Sequence, residues 1–174
     1  AVALREASED GVAIIAAGNG SEKERIERRV AELGLENLIV LPDIPRAEIP
    51  LLVGAADVTL TTFAPYPILE TNSPNKFFDS LAAGKPPIVN LDGWLHRLVE
   101  EKRVGVYVPA GDGKALADTL SDLAAKPELV RELGRNARAL AEQEFSRDLL
   151  ADRLADVLED VVAEPSPTSS PAKA

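Results

Sequence analysis

Between Thr71 and Pro87 the sequence reads Thr-Asn-Ser-Pro-Asn-Lys-Phe-Phe-Asp-Ser-Leu-Ala-Ala-Gly-Lys-Pro-Pro. Ser73-Pro74 has the pattern of a helix start, with serine as N-cap and proline at the first helical position. First-turn N–H groups near Asn75 and Lys76, the positive end of the helix dipole and the Lys76 ammonium together make an anion site. Asp79 follows Lys76 by three residues, so the same helix face can offer a carboxylate to hydroxyl groups. The same residues also read as a plain helix start, with Lys76 a solvated charge and Asp79 an acid favoured by the dipole.

Such a site needs a scaffold that aims a helix N-terminus at a cleft. The chain alternates short apolar runs with longer amphipathic stretches, the pattern of an α/β fold with a parallel sheet flanked by helices. Strands are predicted over residues 12–17, 38–41, 58–61, 87–90 and 105–108. Ser21 with Glu24 three residues on reads as a capping box for a helix whose inward face is Ile26, Val30 and Leu33 and which stops at Gly34. Further helices are predicted around 46–55, over 74–83 ending at Gly84, over 94–101, and from Lys114 to Glu164 with breaks near Pro127 and Ser146. Residues 62–72 form a loop at the carboxyl end of a strand, where open α/β sheets bind ligands. Residues 1–9 read as the end of a helix whose preceding strand is missing, and the absence of methionine is compatible with a fragment. One domain is expected over residues 1–164, with a disordered Pro/Ser/Ala tail over 165–174.

Composition narrows the chemistry. Among 174 residues there are 29 acids and 19 Lys and Arg, a net charge of −10, and no basic run that would neutralise nucleic-acid phosphates. With no cysteine and only His96, neither a thiolate nor a histidine metal site is expected. The chain has no membrane-spanning apolar run and no signal-peptide pattern at Ala1, so it reads as soluble and cytoplasmic. The acids are concentrated late: residues 118–164 carry −6, whereas residues 72–86 carry +1. Gly18-Asn19-Gly20 after a strand is either a tight turn or a loop that lets a nucleotide approach the backbone. Trp94 reads as packing and His96 as surface.

Ser73-Pro74-Asn75-Lys76-Phe77-Phe78-Asp79, followed by Leu81-Ala82-Ala83-Gly84-Lys85-Pro86, resembles the donor-binding signature of GT-B glycosyltransferases of family 4. The nearest resemblance is to the subgroup of bacterial L-fucosamine transferases. Ala17 to Gly20, Leu33 to Asn37, Ala55 to Val58, Asn90 to Trp94 and Gly134 to Phe145 agree in order and spacing. The resemblance spans residues 12 to about 160 and implies a Rossmann-like fold, the C-terminal half of a GT-B enzyme, lacking its first strand.

It also implies roles. Asp79 stands where the second acid of the family's paired-glutamate motif holds the ribose, with shorter reach. The first acid falls at Thr71, a departure from the pattern, and Glu70 takes that place only if the loop shifts by one residue. Backbone around Asp43 and Ile44 corresponds to the base-recognition loop, and Asn72, Ser73, Asn75 and Lys76 to the diphosphate cradle, with Gly18 and Gly20 as further donor contacts. The resemblance thus implies a nucleotide-diphospho-sugar donor, UDP-linked, with no metal or other cofactor. It implies a polysaccharide or lipid-linked acceptor, bound by an N-terminal acceptor domain absent from this sequence, with peripheral membrane association of the full-length protein. Glu70 and Lys76 are the catalytic candidates, and the isolated chain is expected to be inactive. Two other readings are a non-catalytic α/β interaction module and a nucleotide-sugar 2-epimerase-like GT-B protein.

Overall fold

The computed structural model describes residues 11–163. The helix expected over residues 1–9 and the tail over 165–174 lie outside the described residues. Strands β1 (Ile14–Ala17) and β2 (Leu38–Leu41) pair in parallel, joined by helix α1 (Lys23–Leu33). Helix α2 (Ile49–Ala55) leads to β3 (Thr59–Thr61), and a 3₁₀ turn (Pro67–Thr71) precedes α3 (Asn75–Ala82). Then follow β4 (Pro87–Val89), α4 (Trp94–Glu101), β5 (Val106–Tyr107), α5 (Gly113–Ala124), α6 (Pro127–Glu144) and α7 (Arg147–Ala163). Strands β3, β4 and β5 pair in parallel, in that order.

The expected parallel α/β architecture is therefore present, with one difference. The strands form two sheets, β1–β2 and β3–β4–β5, instead of one. Adjacent residues of the central strand β4 anchor two buried clusters. Val89 packs with Phe77, Leu81, Leu95, Val99, Ala137 and Leu140. Ile88 packs on the other face with Val108, Ala117, Leu120, Leu123 and Leu133. A strand buried on both faces has to be a continuous apolar run, and Pro87-Ile88-Val89 is one. Val12 and Ile14 near β1 and Val58 and Leu60 near β3 pack against the Ile88 cluster, so both sheets share that layer.

Two helix starts differ from expectation. Residue Glu22, not Ser21, is the N-cap of α1, without a side-chain cap bond. The Lys23 N–H finds Gly20 O at 3.0 Å, so backbone already satisfies a donor the serine was expected to take. At α3 the extended ψ of 131° at Pro74 delays the first turn by one residue, which makes Pro74 the N-cap and leaves Ser73 outside it. Gly34 (φ 56°) and Gly84 (φ 66°) end their segments in the left-handed conformation as expected. In α7 the charges face solvent, and so does the apolar stripe of Leu150, Leu154, Val157, Leu158 and Val161.

The C-terminal end of α3 is fixed against α6. The Arg138 guanidinium donates to Ala82 O, and a Cβ on Gly134 would collide with Gly84 O. Replacing Gly134→Ala is expected to cost about 1–3 kcal/mol through overpacking. The check is a lower urea midpoint at unchanged slope; an unchanged midpoint would show that α3 and α6 separate freely.

Candidate functional site

At the carboxyl end of β3 the chain enters residues 62–72, which the residues just after β4 hold at three places. The Asn90 side-chain amide, just past β4, accepts from Phe63 N–H and donates to Phe63 O, both at 2.8 Å. The Trp94 indole N–H donates to Asn72 O at 2.9 Å. Gly93 lies so close to Glu70 O that a Cβ there would clash. The turn between β4 and α4 thus carries the backbone of the 3₁₀ turn and delivers it to α3. Trp94 in turn packs on Phe78, with ring centroids 6.2 Å apart, and edge-on against Phe77.

At the start of α3, Pro74 provides no side-chain cap. Phe77 N–H is bonded to Pro74 O at 3.0 Å, while no described group accepts from the N–H of Asn75 or Lys76. The late start of the helix thus leaves two oriented donors open at the positive end of the dipole. The Lys76 ammonium stands 4.4 Å from the centroid of the Phe63 ring and 3.5 Å from Thr62 O. Desolvation holds its pKa below the ordinary lysine value. Asn75, Lys76 and Asp79 are exposed, whereas Phe77, Ser80 and Leu81 on the other side of the helix are buried. The helix therefore presents amide N–H groups, a cation and a carboxylate together.

The sequence-derived candidates fall into two groups. Glu70 lies in the 3₁₀ turn, Asn72 and Ser73 in the link to α3, and Asn75, Lys76 and Asp79 on α3 itself. Gly18, Gly20 and Ile44 lie on the loops that follow β1 and β2, and no described hydrogen bond or ion pair joins them to the first group. Gly18 has φ 148°, which favours glycine. A Cβ at either Gly18 or Gly20 would meet nothing within 4 Å, so the loop after β1 is open at both positions. Thr71 spends its hydroxyl on Ile68 O at 3.1 Å, within the turn that holds Glu70 against Gly93.

Asn90, Gly93 and Trp94 are the positioning residues that sequence reading missed. The only signal was the Asn90 to Trp94 run in the resemblance. His96 is more than a surface residue: its Nδ1 is 2.9 Å from Asp92 Oδ1, its Nε2 is 3.1 Å from Glu100 Oε1, and its ring stacks at 3.7 Å on Tyr107. Burial opposes the imidazolium, but hydrogen bonds and charges from Asp92 and Glu100 outweigh it, so the His96 pKa is raised. Burial pushes the Tyr107 phenol up as well, assisted by the charges of Asp92 and Glu70.

The sequence model of the family described as Glycosyl transferases group 1 matches residues 1–140. No curated protein sequence matches. Among solved structures, HepE of Anabaena in complex with UDP is 23% identical, with TM-score 0.75, covering 91% of this chain and 44% of that one. Sucrose-phosphate synthase from Thermosynechococcus elongatus is 22% identical, with TM-score 0.74, covering 92% and 41%. A glycosyltransferase from Rickettsia africae is 16% identical, with TM-score 0.78, covering 94% and 43%. The chain spans less than half the length of these structures. Its α/β fold matches the C-terminal half of GT-B glycosyltransferases.

Two outcomes are expected. Trp94→Phe keeps the ring but removes the donor to Asn72 O, so amides of the 3₁₀ turn should exchange with solvent about tenfold faster, with about 1 kcal/mol lost in global stability. Unchanged exchange would show that the indole bond does not hold the turn. For His96, a raised folded pKa means that its contribution is fully present below the unfolded value of 6.5 and is lost as pH rises through the folded value. Thermal scans from about pH 6 to about pH 8.5 should therefore show a fall in Tm that His96→Gln reduces; equal falls in both proteins would refute the bridge.

Proposed function

The chain belongs to the glycosyl transferases group 1 family, and on that premise we propose that it is the donor-binding part of a family 4 enzyme transferring a sugar from a nucleotide-diphospho-sugar, UDP-linked, to a polysaccharide or lipid-linked acceptor. We place it nearest the bacterial L-fucosamine transferases, in cytoplasmic assembly of surface polysaccharide. The observation that carries the reading is the uncapped start of α3, where two free N–H groups, the Lys76 ammonium and the Asp79 carboxylate share one exposed face. HepE, whose fold this chain shares, has been solved with UDP and with UDP-glucose.

The chemistry fits such a face. Breaking the bond from the anomeric carbon to a phosphate oxygen leaves positive charge on the sugar ring and negative charge on the departing diphosphate. Preorganised donors stabilise that charge most where water is excluded. Asn75 and Lys76 N–H would take phosphate oxygens directly, in the place a side-chain cap would otherwise fill. Lys76 adds a full charge, and its partial desolvation strengthens the pairing with an anion. Asp79, one turn on, would accept from ribose hydroxyls. Asn72 and Ser73 border the cradle, Ile44 would meet the base, and Gly18 and Gly20 would admit the donor close to backbone. No cofactor or metal is needed in this scheme: the cation and the helix N-terminus serve the leaving group.

Acceptor binding would fall to an N-terminal acceptor domain outside this sequence, so the 174-residue chain alone should bind donor without turnover. One observation favours a non-catalytic α/β interaction module instead: Thr71 replaces the first acid and spends its hydroxyl within its own turn. Calorimetric titration with UDP and UDP-glucose separates the two. The transferase reading expects binding that Lys76→Ala and Asp79→Ala each weaken by about tenfold or more, the loss of one charge-assisted hydrogen bond. No binding at millimolar nucleotide by folded protein would favour the module. Binding unaffected by both substitutions would move the site away from α3.

A further inference from the structure

The parallel strands β3, β4 and β5 end on one rim of their sheet: β3 runs into residues 62–72, β4 into Asn90 to Gly93, and β5 ends at Tyr107. His96, in the first turn of α4, stacks on Tyr107 at this rim, and the charges of Asp92 and Glu70 both act on the Tyr107 phenol. The titratable groups around His96 are therefore Asp92 before α4, Glu100 on α4, Tyr107 from β5 and, behind that phenol, Glu70 from the 3₁₀ turn.

Both ring nitrogens of His96 face carboxylates, Nδ1 that of Asp92 and Nε2 that of Glu100. Only the imidazolium donates from both nitrogens. A neutral ring has one N–H and one lone pair, so it gives up one bridge and turns the lone pair against a carboxylate. Neutral histidine ordinarily keeps its hydrogen on Nε2, the nitrogen beside Glu100, which makes Asp92 the partner that is lost. Asp92 has little room to move alone. Leu91 before it is buried, and Gly93 after it lies so close to Glu70 O that a Cβ would clash. Trp94, the next residue, donates to Asn72 O. A shift of Asp92 is therefore felt at both ends of the segment from Glu70 to Asn72 that leads into α3.

We propose that His96 and Asp92 are positioning residues that make the placement of the 3₁₀ turn depend on protons. With His96 charged, the turn is held on Gly93 and Trp94 and the start of α3 is kept in place for an anionic ligand. With His96 neutral, the turn loosens and the ligand is held less tightly. The raised pKa of His96 puts this change above pH 6.5, with the hold complete at lower pH and lost as pH rises through the folded value. The inference rests on the donor-binding reading for the ligand, and on contacts alone for the step from His96 to the turn.

The sequence holds one histidine and one tryptophan, so each side chain gives a single NMR signal. The test follows the ring ¹⁵N shifts of His96 from about pH 6 to about pH 8.5 in the 174-residue chain, His96→Gln and Asp92→Asn. Over the same range it follows exchange protection, corrected for the intrinsic rise of exchange with pH, at the Trp94 indole N–H and at the Leu69 and Asn72 amides, which bond to Tyr66 O and Leu69 O. Support is a fall in protection of about tenfold at the His96 midpoint, with a flat profile in His96→Gln. Asp92→Asn should lower the His96 midpoint, and the fall in protection should move with it, which keeps the test open if His96→Gln does not fold. Protection independent of pH in the unsubstituted chain, a fall that persists in His96→Gln, or a neutral ring protonated on Nδ1 overturns the proposal.

The ligand is then probed with UDP-glucose, whose diphosphate is esterified at both ends and so has no phosphate ionisation near neutral pH. Its affinity should drop about threefold or more across the same interval in the unsubstituted chain and stay level in His96→Gln. Any loss of charge on Lys76 is common to both proteins and cancels in the comparison. Equal affinity at the two ends of the range overturns the link to the ligand. Absence of binding at every pH refutes the donor-binding reading instead, and the exchange profiles then decide the proton coupling.

Discussion

The pair of hydrogen bonds between the Asn90 amide and the backbone of Phe63 decides where the chain goes after β3. A side-chain amide that both donates and accepts mimics one step of a parallel ladder. It thereby extends the β3–β4 pairing past the last strand residues Thr61 and Val89. Phe63 is held, and its ring stands 4.4 Å from the Lys76 ammonium, whose pKa desolvation lowers. The 3₁₀ turn, the late start of α3 and its open N–H groups follow along the chain. A residue that would touch no ligand thus sets the direction and the electrostatic strength of the face that would.

Local chemistry made much of this legible. Gly34 and Gly84 stop their segments because each takes a positive φ, and five apolar runs gave five strands within a residue or two. The exposed face Asn75–Lys76–Asp79 followed from helical spacing alone. The two expected serine caps failed because capping depends on which residue first leaves the helical basin. At Lys23 a backbone carbonyl took the donor, and at Pro74 an extended ψ moved the start. Residue type restricts that choice without determining it.

The sheet split and the loop attachments were not legible, for a shared reason. Periodicity tells which face of a strand is buried, but not which strand lies beside it. The bonds from Asn90 to Phe63 and from Trp94 to Asn72 span 27 and 22 residues, beyond any local pattern. The charge balance was misleading for the opposite reason, since it averages over the chain. Residues 118–164 carry −6 of the −10, whereas residues 72–86, which include α3, carry +1.

Trp94 is the only tryptophan in the sequence, and its indole is bonded to the backbone at the entrance to α3 while its ring lies among Phe77 and Phe78. The molecule therefore carries an intrinsic optical probe at one place, with its polar end on the loop and its apolar body in the core. Its emission distinguishes two events that bulk spectroscopy merges. Release of the Asn72 carbonyl would change the hydrogen bonding of an indole that stays packed on the phenylalanines, whereas loss of the core would expose the whole ring to water.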